Sequence, residues 1–278
     1  LQDQSGSIAL NFYFSKKKGH TTVFAGKVPK SLQQKLRLLL EPGPAENRIS
    51  PMKDEQEFGT WIGCDEGGKG AFAGSLVAVA FVTEKHMIPD LLKIGVADSK
   101  TITGKKLKTM ARELMNRYRK NVGIMELKPE TYNRLYDDFK TQGKSLNHLL
   151  AWTHGKAVEN AMKVFPEPEA IVLDQFAYPG VIKPRMPKGP KLIIRTKAED
   201  NIGVAAASVI AGAWYLGSLE KLSEEIGVKL MPGAGKTADE AVVEAVKKHG
   251  ADVLDRIVKR HFKNTVKVCR KISGIWSD

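Results

Sequence analysis

Three places in this 278-residue chain put carboxylates where a short apolar run ends. Asp65-Glu66 follow Trp61 to Cys64, Asp174 follows Ile171 to Leu173, and Glu199-Asp200 stand just beyond Leu192 to Arg195. Ligand sites of layered α/β proteins gather beyond strand ends, so acidic stops of this kind form a candidate constellation. Carboxylates brought together repel one another and resist ionisation unless a cation sits among them. Mg²⁺ or Mn²⁺ suits such an all-oxygen donor set, and a pair of these ions can drive phosphodiester hydrolysis. Spacing alone does not bring the acids into contact. Acids at strand ends also cap helices or stand in solvent.

The elements that would have to position them read as an α/β layered fold. Leu76 to Val82 is a continuous apolar strand, which implies burial on both faces. Val122 to Leu127 reads as a further strand. Lys105 to Lys120 is amphipathic at helical period, and Ser145 is placed to cap a long helix carrying Leu146, Leu149, Leu150, Ala157, Val158 and Ala161. A buried helix is expected from about Ile202, rich in Ala and Gly between Val204 and Leu216. Thr237-Ala-Asp-Glu240 has the form of a capping box opening a helix that stops at Gly250, and Asp252 is expected to cap the next.

The N-terminal part reads as a separate small unit over residues 1–44. Ile8, Leu10, Phe12 and Phe14 alternate as in a half-buried strand, Lys16 to His20 is a turn, and Thr21 to Ala25 is the return strand. Pro29 and Ser31 open a helical stretch with Leu32, Leu36, Leu39 and Leu40 on one side. Residues 45–57 read as a linker, and 58–278 as the main domain. Lys16, Lys17, Lys18 and Lys27 beside Phe12, Tyr13 and Phe14 suit either a nucleic-acid backbone or a solvated hairpin.

Lys plus Arg outnumber Asp plus Glu by 44 to 31, a formal charge of +13, which suits a polyanionic partner such as nucleic acid. No apolar run reaches the roughly 18 residues of a membrane span, and no basic-then-apolar leader opens the chain. The two cysteines, Cys64 and Cys269, make neither a zinc spacing nor a disulfide framework. A reducing cytoplasm is the expected location, and Cys64 reads as a small buried residue.

Beyond these patterns, Gly63-Cys-Asp-Glu-Gly-Gly-Lys-Gly70 resembles the opening motif of type 2 ribonucleases H, where a strand ends in Asp-Glu before a glycine-rich loop. Asp98-Ser99-Lys100 is similar to a motif downstream in that group, and Ala205 to Ala211 to its Ala-Ala-Ser helix. Four segments are nearest in pattern to ribonuclease HIII: Ser145 to Trp152, Asp174-Gln-Phe176, Lys197-Ala-Glu199 and Lys259 to Thr265. The resemblance covers about Gly59 to Lys267. It implies a ribonuclease H-like fold with a mixed central sheet flanked by helices. It implies that Asp65, Glu66, Asp174 and Glu199 hold two Mg²⁺ or Mn²⁺ ions, with Asp65 bridging and Asp200 as the alternative to Glu199. The implied activity is hydrolysis of the RNA strand of RNA/DNA hybrids to 5′-phosphate and 3′-hydroxyl ends. Gly68, Lys69 and Gly70 would read ribose 2′-hydroxyls, with Ser99 and Lys100 contacting phosphates. The small N-terminal unit would be a shortened form of the family's substrate-binding platform, which is similar to the TATA-box-binding protein, and the enzyme would act as a monomer.

Incision at single embedded ribonucleotides, as by ribonuclease HII, and non-catalytic hybrid binding are the alternatives. Two patterns are set aside. Gly233-Ala-Gly-Lys-Thr237 imitates a nucleotide-binding loop, but Leu230 stands where the motif needs glycine. His148 and His154, six apart on one helix, do not share a face, and His261 reads as structural.

Overall fold

The main-domain strands pair into one five-stranded sheet in a computed structural model of the chain. The structure describes residues 57–97, 102 and 104–273, together with four strands within residues 2–25. The Asp98-Ser99-Lys100 motif, the helical stretch from Ser31 to Leu40, and all of the expected linker but Glu57 lie outside the described residues. The chain divides into two compact units, 1–50 and 51–278.

In the first unit β1 (Gln2–Asp3) pairs with β2 (Gly6–Ser7), and β3 (Ala9–Ser15) pairs with β4 (Gly19–Ala25), both antiparallel. The second pair is the expected hairpin, with Phe12 opposite Thr22 and the return strand beginning at Gly19.

In the second unit β5 (Thr60–Gly67) lies between β6 (Leu76–Glu84), antiparallel to it, and β8 (Ala170–Asp174), parallel to it. β7 (Val122–Leu127) closes one edge against β6, and β9 (Lys191–Arg195) closes the other, parallel to β8. The described helices are α1 (Ile88–Ile94), α2 (Gly104–Tyr118), α3 (Pro129–Thr141), α4 (Leu146–Met162), α5 (Pro179–Ile182), α6 (Ile202–Ile226), α7 (Lys236–His249), α8 (Val253–Ile257) and α9 (Lys263–Ile272).

Alternation along β6 shows how the layers form. Val77, Val79 and Phe81 join Trp61 and the α6 residues Val204 to Ala207 in one core. Ala78, Ala80 and Val82 join Ile62, Cys64 and the α4 residues Ala157, Val158 and Ala161 in the other. The sheet is thus covered on both faces, as the unbroken apolar run in β6 requires. α6 is long and apolar enough by length and composition to cross a membrane, which the sequence reading does not anticipate. Its apolarity has a local cause, since it packs on β5 and β6 and beneath α2.

Close backbone contact joins β5 to α6. Asn201 caps α6, its Oδ1 accepting from Gly203 N at 3.0 Å and Val204 N at 3.2 Å, and Trp61 Nε1 donates to the same oxygen at 3.0 Å. Gly63 meets the α6 backbone so closely that a Cβ there would lie 2.1 Å from the Gly203 carbonyl carbon.

Two helix starts differ from expectation. α7 begins at Lys236 with the extended Gly235 as its cap, so Thr237 sits inside the first turn and forms no capping box. Asp252 stands at the start of α8 with helical dihedrals and no capping side-chain bond. Ser145 does occupy the cap of α4, where its N–H donates to His148 Nδ1 at 3.1 Å.

Candidate active site

Asp65 and Glu66 are consecutive on β5, so the two-residue period of a strand sends them to opposite faces of the sheet. Asp65 turns toward α6, where Ser208 hydrogen-bonds its carboxylate. Glu66 turns toward α4, with Oε2 3.0 Å from His154 Nε2 and Oε1 3.0 Å from Lys69 Nζ. Burial, and then the negative charge of Glu66, push the Asp65 carboxyl above its ordinary range despite the Ser208 bond. Burial acts the same way on Glu66. There the bond and charge of His154, with the charge of Lys69, outweigh it and hold the carboxyl low.

Asp174 ends β8, the parallel neighbour of β5, and its Oδ1 accepts the Ala198 N–H at 3.1 Å. Lys197 explains how the following segment turns back. Among the described residues it is the one non-glycine with positive φ, at 58°, an uncommon conformation for a side chain of its size. The turn aims the Ala198 N–H at Asp174 and carries Glu199 to the site.

Asp65, Glu66, Asp174 and Glu199 line one cavity of about 390 Å³, with Ser208 and Leu107 also in its wall. Asp200 is exposed and does not line it. A larger cavity of about 650 Å³ lies beside Trp214 and Lys221. Of its three carboxylates, Glu126 is engaged by Ser75 and Trp214, at 2.7 and 2.9 Å, while Glu130 and Glu225 stand on α3 and α6 rather than at strand ends.

The donor chemistry of the smaller cavity fits Mg²⁺ or Mn²⁺, which favour carboxylate oxygen. Like-charge repulsion on Asp65 is the strain that a cation relieves. Among the described residues no three His, Cys, Asp or Glu side chains stand at common ligating distance. Each Glu66 oxygen already has one partner, Lys69 on Oε1 and His154 on Oε2, and of these the Lys69 ammonium would repel an entering cation.

His154, which belongs to no ligand pattern along the sequence, reaches the site through Glu66. It is 1% exposed, stacks on Phe176 at 5.2 Å between ring centroids, and reaches Glu66 from the neighbouring layer. The available signal was a histidine within an otherwise apolar stripe, Leu150, Ala151, Ala157 and Val158. Ser208, inside the Ala-Ala-Ser segment, was not singled out either. His261 packs against both Tyr132 and Tyr136, at 5.5 and 4.7 Å, outside the carboxylate cavity. Cys64 is buried, and burial first, then the charges of Asp65 and Glu66, drive its thiol far above the ordinary range. It is therefore inert as a nucleophile.

The glycine loop after Glu66 is held from below by the C-terminal motif. Gly68 adopts φ +79°, and a Cβ there would lie 2.2 Å from Ser75 O. Gly70 is exposed, with open space where a Cβ would stand. Lys259 N donates to Phe72 O at 2.9 Å, its Nζ donates to Gly74 O at 2.7 Å, and Tyr215 Oη donates to Ala73 O at 3.3 Å.

Lys259 is fully buried, and burial holds its ammonium down to about 7, against an ordinary 10.5. Between those values the unfolded chain holds a proton that the folded chain lacks, so this residue makes stability climb as pH rises from about 7. Below about 7 both states are protonated and its cost is constant. Lys259→Met is expected to flatten the climb. Urea midpoints of the two proteins between neutral and alkaline pH check this, and parallel curves would contradict it.

A mixed sheet covered on both faces, with carboxylates collected where its parallel strands end, defines a ribonuclease H-like nuclease. A model of the family described as ribonuclease HII matches residues 62–265, and the chain belongs to that family. It is 33% identical to a ribonuclease HIII from Protochlamydia amoebophila, over 98% of this chain and 92% of that one. It is 35% identical to the ribonuclease HIII of Bacillus subtilis, over 82% of this chain and 72% of that one. The crystal structure of Bst-RNase HIII in complex with Mn²⁺ superposes with a TM-score of 0.73 at 25% identity, covering 95% of this chain and 87% of the other. The chain is thus a ribonuclease H hydrolase with the mixed-sheet fold that its motifs imply.

Proposed function

We propose that the chain hydrolyses the RNA strand of RNA/DNA hybrids at the cavity lined by Asp65, Glu66, Asp174 and Glu199. The observation that carries this reading is the meeting of these four acids, from three distant segments, in one cavity at the ends of parallel strands. Divalent ions held by Asp65, Glu66, Asp174 and Glu199 would supply the Lewis acidity that phosphodiester hydrolysis needs.

The chain's own groups hold that donor set in place. Ser208 orients Asp65 from α6, His154 orients Glu66 from α4, and the Ala198 N–H fixes Asp174. No side chain is assigned as general base. The phosphodiester is cut on its 3′-oxygen side, leaving 5′-phosphate and 3′-hydroxyl ends. Gly68, Lys69 and Gly70 approach the ribose, and the 2′-hydroxyl is what marks RNA at a given site. The exposed backbone at Gly70 and the left-handed Gly68 support that role. Ser99 and Lys100 serve as phosphate contacts, and Lys16, Lys17, Lys18 and Lys27 within residues 1–44 are further basic residues for the duplex. The enzyme works as a monomer in the cytoplasm, a placement supported by its two free cysteines.

Ribonuclease HII-type incision at single embedded ribonucleotides would call on a tyrosine beneath the junction sugar, and neither Tyr178 nor Tyr215 lines the carboxylate cavity. Tyr215 is buried with its hydroxyl bonded to Ala73 O, and Tyr178 is 77% exposed. Three labelled duplexes separate the readings in Mg²⁺ and in Mn²⁺: a hybrid, a DNA with one ribonucleotide, and DNA alone. The hybrid is expected to be cut along its RNA strand and DNA alone to survive. Equal cutting of DNA alone would overturn hybrid specificity, and cutting only at the lone ribonucleotide would favour the alternative.

A further inference from the structure

Glu66 is clamped on both oxygens by groups of very different mobility. His154 is 1% exposed, stacked on Phe176, and rooted in the middle of α4. An ionised carboxylate only accepts, so Nε2 carries the proton in this bond. Nδ1 has no hydrogen-bond partner among the described residues. Breaking the bond to Glu66 would therefore leave both ring nitrogens buried and unpaired, a costly state. Lys69 differs on each count. It lies on the glycine loop, its side chain is 41% exposed, and its Nζ sits at Glu66 Oε1 and 5.3 Å from the Phe176 ring centroid. Water can take over its solvation when it leaves.

Each Glu66 oxygen keeps a second lone pair, but a divalent ion on Oε1 would stand beside the Lys69 ammonium, itself 3.0 Å from that oxygen, and the two cations repel. Lys69 is the one that can yield at little cost, because a partly exposed ion pair is weak.

We infer that Lys69 is the resident counter-ion of Glu66, occupying Oε1 until a divalent ion displaces it, while His154 keeps its hold on Oε2. The inference rests on the carboxylate site proposed above. It makes Lys69 a positioning residue that contests metal entry. Once displaced, its ammonium stands free at the mouth of the cavity, where the incoming backbone phosphate can take it up, so metal loading prepares substrate binding.

Mn²⁺ binding to the full chain without nucleic acid, followed by electron paramagnetic resonance of the free ion, tests this. Wild type, Lys69→Met, Glu66→Gln and the double variant are compared, with Asp174→Asn as a control. Lys69→Met is expected to bind Mn²⁺ about fivefold more tightly, the scale of one weak ion pair. In the Glu66→Gln background the same change should shift affinity less than about twofold if the effect runs through that carboxylate. If Glu66→Gln binds no measurable Mn²⁺, tightening by Lys69→Met alone supports the inference, since Glu66 is then the contested ligand. Unchanged or weaker binding in Lys69→Met would overturn it, as would equal tightening in both backgrounds. Such tightening cannot come from a damaged fold. If Asp174→Asn binds as well as wild type, the carboxylate site itself is wrong, which is a separate failure.

Discussion

Asp65→Asn is expected to lower cleavage of a hybrid's RNA strand by about 10³-fold, the scale of removing one charge-stabilising group from a reacting centre. The same variant is expected to melt at a higher temperature than wild type when both are free of metal. The two effects share a cause. Asp65 is a partly buried carboxylate beside Glu66, and burial and that neighbour both work against its charge. Asn keeps the shape and removes the cost. What it also removes is the donor that a divalent ion needs, so the rise in melting temperature expected of wild type on adding Mn²⁺ should be lost with it. Wild type and variant measured with and without Mn²⁺ give all four values. A variant that loses stability without metal would place Asp65 among structural residues instead, and one that keeps full activity would remove it from the site.

Gly63→Ala is expected to destabilise the protein by about 3 kcal/mol or more, through overpacking that cannot relax. An alanine Cβ would stand 2.1 Å from the Gly203 carbonyl carbon and 2.2 Å from Val204 N. Both are backbone atoms at the capped start of α6, already fixed by Asn201 and Trp61. The helix cannot withdraw without breaking that cap and moving Ser208 off Asp65. Activity should fall together with stability, since the contact that closes the core also sets the site. For a domain of this size the melting temperature should drop by roughly 10 °C. Gly70→Ala, where a Cβ meets open space, is the matched control and should leave the melting temperature unchanged.

How much of this was legible in the sequence depended on the range of the interaction. β6 and β7 stand where apolar continuity and β-propensity place them, and Val122 to Leu127 agrees at both ends. The positions of the four acids at strand ends were equally plain, because composition and period are local signals. Their convergence was not, since it depends on the parallel pairing of β8 with β5 and on the turn that Lys197 makes at positive φ. The motifs shared with ribonucleases H supplied it instead.

His154 was passed over for a similar reason. Counting along α4 shows that it shares no face with His148, which is correct, but its partner Glu66 is 88 residues away on the sheet. α3 carries a clear pattern of its own, since Tyr132, Leu135, Tyr136 and Phe139 repeat at helical spacing behind Pro129 at its first position. That signal was present and local. Lys259 read only as part of a basic motif, and nothing in that run of charges shows a buried lysine tying down the glycine loop.

The most direct test of the central claim is cleavage of an end-labelled RNA/DNA hybrid by wild type and Asp65→Asn, side by side, with Mg²⁺, with Mn²⁺ and with chelator. The account predicts cutting of the RNA strand by wild type in metal, none in chelator, and almost none by the variant in any condition. Cutting in chelator, or equal cutting by the variant, would contradict the assignment of a divalent-metal site to these four carboxylates.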